Sequence, residues 1–168
     1  MPLDKTVLLD LLRTVDAQLS RPIIVVAIGG TALTLLDAKT STVDVDLAFP
    51  DRDLDEFQRA LRALPKPGFR MDCFGDGDIF GLTLPNDYLQ RCIPIEKFRL
   101  LELRTLSPVD IVVTKISRLD DRDKQDIMAC VRRFKLTKEQ IAERAGQVEL
   151  AGSEEQYHAN LKIVLNSL

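Results

Sequence analysis

The chain has 168 residues, 45% of them hydrophobic and 29% charged, with a net charge of −3, a composition that excludes a disordered or fibrous protein. This length suits one compact domain with a helical appendage and leaves no room for a second catalytic domain. The longest apolar runs, such as residues 23–28, fall far short of the roughly 20 residues a membrane span needs, so we expect a cytoplasmic protein with no membrane partner.

Leu8, Leu11, Leu12, Val15 and Leu19 recur at helical spacing, which predicts an amphipathic helix over residues 4–19, ended by Arg21-Pro22. The unbroken apolar run 23–28 is the pattern of a central strand covered on both faces. Gly29-Gly30-Thr31 follows as a tight turn into a short helix. Residues 43–49 alternate as a second strand, with Val43, Val45 and Leu47 on one face and Asp44 and Asp46 on the other. An acidic stretch from Asp51 opens a helix to about Leu64 before Pro65 and Pro67 break it. Short strands are expected at 69–74, 79–84 and 99–106, with a glycine-rich turn around Asp76 and Asp78.

Ser107-Pro108-Val109-Asp110 reads as a helix start, with Ser107 as cap, Pro108 in the first turn and Asp110 able to close a capping box. Helices at about 124–134, after Thr137 and over 153–167 complete the chain. The expected architecture is a mixed α/β (α+β) domain: a sheet flanked by helices over about 22–106, and a helical segment over about 107–168. Cys73, Cys92 and Cys130 form no C-x-x-C pair, and His158 is the sole histidine, which argues against disulfides and against zinc. His158 reads as a surface helix residue.

Two carboxylates at i and i+2 of an apolar strand are costly to bury without a partner, and a hard divalent cation supplies one. A glycine pair where a buried strand meets a helix lets a phosphate approach backbone N–H groups. The spacing of Ile28-Gly29-Gly30 and Asp44-Val45-Asp46 resembles the signature of the polymerase-β-like nucleotidyltransferase superfamily. Gly29 to Leu33, the segment Ser41-Thr42 to Leu47, and the downstream Leu106-Ser107-Pro108, Asp110, Lys115, Arg118, Arg122-Asp123 and Asp126-Ile127 are similar to small prokaryotic AbiEii-toxin-like and DUF6036-like members. The resemblance covers about residues 22–130.

It implies a nucleotidyltransferase fold and two-metal transfer, with Asp44, Asp46 and a third carboxylate holding Mg²⁺ or Mn²⁺, and Gly29, Gly30 and Thr31 holding a nucleoside triphosphate such as ATP. Asp72, in the strand 69–74, is chosen as that third carboxylate over Asp76, Asp78 and Glu102. Lys115 reads either as a point charge on the β- and γ-phosphates or as a lysine snorkelling at a helix boundary. Lys39, Thr40 and Thr42 are candidates for the same cleft, whereas Arg118, Arg122, Asp123 and Asp126 read as an ion-pair network between helices.

Residues 97–135 hold the surplus of positive charge: residues 95–135 carry 10 basic and 7 acidic side chains, against 10 and 14 in residues 1–94. An RNA acceptor, tRNA above all, would meet Arg99, Arg104, Arg118, Arg132 and Arg133 there. The reading is therefore an enzyme moving a nucleoside monophosphate to an RNA hydroxyl, in one form the toxin of a toxin-antitoxin pair with a cognate antitoxin as partner. The alternatives are transfer to a protein acceptor and a non-catalytic antitoxin or regulatory module. A metal-dependent phosphatase or nuclease is disfavoured by the shortage of histidine.

Overall fold

A computed structural model describes residues 1–50 and 52–168. The first half runs α1 (Lys5–Asp16), β1 (Ile23–Ala27), α2 (Gly29–Leu35), β2 (Val45–Phe49), α3 (Asp53–Arg62), β3 (Met71–Gly75), β4 (Asp78–Ile79) and β5 (Leu82–Thr83). The second runs α4 (Tyr88–Arg91), β6 (Ile93–Lys97), β7 (Leu101–Thr105), α5 (Pro108–Ile116), α6 (Asp121–Phe134), α7 (Lys138–Ala145), β8 (Glu149–Leu150) and α8 (Glu154–Asn166).

Five strands form a mixed sheet in the order β3-β2-β1-β7-β6. The apolar β1 is its centre, parallel to β7 and antiparallel to β2. Parallel pairing of β2 with β3 requires a crossover, which α3 supplies. The register sets Asp46 beside Asp72. Helix α5 is buried almost all round, through Ile111, Val112, Val113 and Ile116, and carries the C-terminal helices against the sheet. Asp16 fastens α1 to the turn between β6 and β7 by accepting from the Arg99, Leu100 and Leu101 amides at 3.1, 2.7 and 2.8 Å.

Several boundaries differ from those read in the sequence. Helix α1 stops at Asp16, beyond which the Gln18 and Leu19 amides donate three residues back, to the Val15 and Asp16 carbonyls, in a tighter turn. Strand β2 starts only at Val45: Val43 is 50% exposed and Asp44 lies in the bend before the strand, so the alternation expected from 43 onward holds from 45. The segment 79–84 is a hairpin rather than one strand, and β8 adds to it. Helix α4 and strands β6 and β8 lie in segments for which the sequence suggested no element. Helix α6 begins at Asp121, since Asp120 and Asp123 form a reciprocal capping box. Ser107 accepts from the Asp110 amide as expected, but the Asp110 carboxylate turns away to Arg144 and closes no box. Asp51, expected in the first turn of α3, lies outside the described residues.

Candidate active site

The cleft opens where β1 hands over to α2. Ile28 is extended and Gly29 takes φ +54°, a conformation glycine adopts without Cβ strain. A Cβ on Gly29 would lie 3.4 Å from Asp46 Oδ2 and 3.6 Å from Phe80 Cζ; one on Gly30 would lie 3.0 Å from Thr42 Oγ1 and 3.6 Å from Lys39 Nζ. The two glycines therefore mark the floor between a carboxylate and a lysine. Thr31, grouped with them in the sequence, does something else: its hydroxyl donates to the Asp44 carbonyl at 3.3 Å and accepts from the Asp46 amide at 2.9 Å. At 1% exposure it fixes the backbone of the Asp44-Asp46 segment instead of facing the cleft. Thr42 supports the same bend by donating to the Asp44 carbonyl at 3.0 Å.

The carboxylates gather around Asp46. Burial, then the negative charges of Asp72 and Asp44, push its carboxyl up to about 6, against the opposing pull of Lys115 and Arg118. The group is thus short of positive charge. Asp72 stands next to Asp46 across the strand pair and accepts from Arg70 Nε at 2.8 Å. Two other contenders for a third carboxylate are engaged elsewhere: Asp78 accepts from Thr83 on the hairpin, and Glu102 binds Arg104 on β7. Among the described residues no three acidic, histidine or cysteine side chains close into a ready-made metal cage. Mg²⁺ seldom needs one, because it binds through one or two carboxylates completed by phosphate and water.

The facing wall is cationic. Lys115, 3% exposed, contacts Asp123 at 3.0 Å and Asp126 at 2.9 Å, so it is neither snorkelling nor free. Lys39 reaches Asp126 at 3.0 Å, and Arg118 makes a two-point pair with Asp123 at 2.8 and 2.9 Å. Burial would raise the Asp123 carboxyl, but Arg118 and Lys115 outweigh it and hold it at about 2. The ion-pair network expected between helices is present for Arg118, Asp123 and Asp126 and includes Lys115 and Lys39, whereas Arg122, expected in it, pairs with none of them and lines the cleft.

These side chains line two connected lobes, each of about 360 Å³. One holds Gly29, Gly30, Lys39, Thr42, Lys115 and Asp126; the other holds Arg70, Asp72, Cys73 and Phe74. Asp44, Asp46, Phe80 and Arg118 border both. Phe80 was not singled out in the sequence, where a lone phenylalanine before glycine carries no motif.

Of the five arginines proposed to meet RNA, only Arg118 lines this cleft. Arg99 donates to the Asp16 and Leu19 carbonyls, and Arg104 pairs with Glu102. Arg132 and Arg133 sit at the last turn of α6, whose first turns face the cleft. A linear charge count does not say which way side chains face. Thr40 is exposed and off the cleft, and His158 is exposed on α8 against Tyr157. The three thiols are unpaired, and burial first of all raises Cys73 to about 11 and Cys92 and Cys130 to about 12, which leaves them unreactive. Among the described residues no helix is long and apolar enough to cross a membrane.

The sequence profile of the family described as "Nucleotidyltransferase of unknown function (DUF6036)" matches residues 5–166. No curated protein matches the chain by sequence. Two solved structures share its fold: ANT(2'')-Ia in complex with adenylyl-2''-tobramycin, at 11% identity, TM-score 0.51 and 97% coverage of each chain; and the solution structure of the antibiotic-resistance factor ANT(2'')-Ia, at 13% identity, TM-score 0.55, covering 98% of this chain and 97% of that one.

Proposed function

The chain belongs to the DUF6036 nucleotidyltransferases, and from that premise we propose that it moves a nucleoside monophosphate from a nucleoside triphosphate to an acceptor hydroxyl in the two-lobed cleft. The observation that carries this reading is that Lys39, Lys115 and Arg118 stand over Gly29 and Gly30 in one lobe and Asp72 stands in the other, with Asp44 and Asp46 bordering both.

The triphosphate belongs in the first lobe. Gly29 and Gly30 let phosphate oxygens approach the backbone, where the first N–H groups of a helix have no carbonyl one turn back. Lys39 and Lys115 offset the phosphate charge, and Asp126, which touches both, keeps the two ammonium groups apart and aimed. The α-phosphoryl group then falls beside Asp44 and Asp46. These two, with Asp72, would hold Mg²⁺ or Mn²⁺, and the raised carboxyl of Asp46 is the mark of an acidic cluster wanting a cation. Bound there, such ions neutralise charge on the transferring phosphoryl and on the oxygens either side of it.

The acceptor hydroxyl approaches through the second lobe, past Asp72. Its volume of about 360 Å³ takes a small molecule or the terminal residue of a polymer. The RNA reading thus passes from a basic surface to a single chain end, and the fold neighbour ANT(2'')-Ia holds a small adenylylated molecule, adenylyl-2''-tobramycin.

The direct test is thermal unfolding with Mg²⁺ or Mn²⁺ and each of the four ribonucleoside triphosphates, followed by incubation of labelled nucleotide with total RNA, protein and small polyols. Metal and triphosphate together should stabilise by about 2.7 kcal/mol at 100 times the dissociation constant, and either alone by less. No response to any combination would remove the assignment.

A further inference from the structure

We propose that Phe80 is a positioning residue of this cleft, holding the Arg118 guanidinium at the junction of the two lobes beside Asp44 and Asp46. The proposal rests on the nucleotidyl-transfer reading and deepens it.

Ile79 pairs with Leu82, so Phe80 and Gly81 are the two central residues of a tight hairpin turn, with φ +51° and +82°. Turns with two positive φ values favour Asn-Gly, Asp-Gly or Gly-Gly, and a bulky aromatic in the first place is strained. Such a conformation persists only where its surroundings over-determine it. Here they do. Ser117 Oγ donates to the Phe80 carbonyl at 2.9 Å, the Ala151 amide donates to the Gly81 carbonyl at 3.0 Å, and β8 pairs with β5 behind the turn.

What the turn delivers is a ring in the cleft. Its tip lies against Gly29, Phe74 packs against it at 5.2 Å between centroids, and Arg118 Cζ sits 4.9 Å from its centroid. Arg118 is 52% exposed and tied to Asp123 through Nε and Nη2, which leaves Nη1 outside that pair. With Asp123 on one side of the guanidinium and the Phe80 ring on another, the charge is held where both lobes border the Asp pair. A cation held there acts on charge developing at the transferring phosphoryl, an interaction that strengthens in the transition state.

The substitution Phe80→Asn separates this role from a structural one, because asparagine suits the turn and lacks the ring. In the full chain with metal and triphosphate, Phe80→Asn should unfold at the same temperature as the wild type or higher. Its kcat should fall roughly 10- to 100-fold while the triphosphate KM changes less than about threefold, and Phe80→Tyr should restore kcat. Because the ring acts through Arg118, Phe80→Asn/Arg118→Ala should be no slower than Arg118→Ala alone. Wild-type kcat in Phe80→Asn, activity that only follows a reduced folded fraction, or losses that multiply in the double variant would each overturn the proposal. A wild-type protein that neither binds triphosphate nor transfers label would instead overturn the nucleotidyl-transfer reading itself.

Discussion

Asp110 and Lys115, on the same helix α5, are both buried ionisable side chains, 0% and 3% exposed, yet their ion-pair networks lead to different surfaces. Asp110 meets Arg144 at 2.6 and 3.1 Å, and Arg144 spends its remaining donors on Asp87 and Gln147. That cluster also reaches the surface, through Asp87, 51% exposed and paired with Arg91, but it does so away from Asp44 and Asp46, and it welds α7 to α5. Lys115 meets Asp123 and Asp126, but its cluster runs on to Lys39 and Arg118, 33% and 52% exposed at the cleft. It stays open on one side, with three cations arranged around two buried carboxylates. Neither burial of an ion pair nor a path to the surface marks function here; a border on Asp44 and Asp46 does.

Substitutions on either side of this contrast should divide cleanly. Asp46→Asn should lower transfer by about 10³-fold or more, as expected when a group holding the reacting centre is lost, and leave the far-ultraviolet dichroism unchanged. Near-normal turnover would refute the role given to the Asp pair. Asp110→Ala should do the reverse: it takes from buried Arg144 its two-point partner, leaving Asp87 and Gln147, and costs about 3 kcal/mol in denaturant unfolding, while kcat per folded molecule is retained.

The third expectation concerns pH. Asp46 releases its proton at about 6 in the folded chain against 3.8 for an ordinary aspartate. Its ionisation therefore opposes folding as pH rises across that window. With a chelator present, Asp46→Asn should gain up to about 3 kcal/mol of stability, fully present above pH 6 and absent below about pH 4. A gain independent of pH would mean that shape, not charge, is responsible. The smallest effect is expected at the open edge of the cationic cluster. Lys39→Met should weaken triphosphate binding about tenfold in calorimetry and change stability by less than about 1 kcal/mol.

The parts of this site that could be read from sequence are those set by local spacing. Gly29 and Gly30 follow an apolar strand, and Asp46 alternates with buried Val45 and Leu47, so the strand and its acidic face were visible. Asp72 was reachable because the family resemblance calls for a third carboxylate on a neighbouring strand, and a short strand was read at 69–74. The parts that could not be read depend on partners distant in the chain. Lys39 and Asp126 are 87 residues apart, and nothing near either one announces the other. Thr31 looked like part of a phosphate loop, yet its hydroxyl is spent on the backbone of residues 44 and 46. Strand β6 was hidden by Pro94 and by the absence of clean alternation. Phe80 matters only because a turn of unusual chemistry carries it across to Arg118.

Strand β6 also bears on how copies of this chain meet one another. It is an outer rail of the five-stranded sheet, where bare backbone invites another molecule to continue the ladder. Its exposed Pro94 has no N–H to offer, the register slips between Pro94 and Glu96, and Glu96 and Lys97 stand exposed beside the slip. A missing donor, a bent line of carbonyls and charge on the rim each discourage a docking strand. On this side the sheet is finished, and crowding many copies together should not turn it into the seed of a fibril.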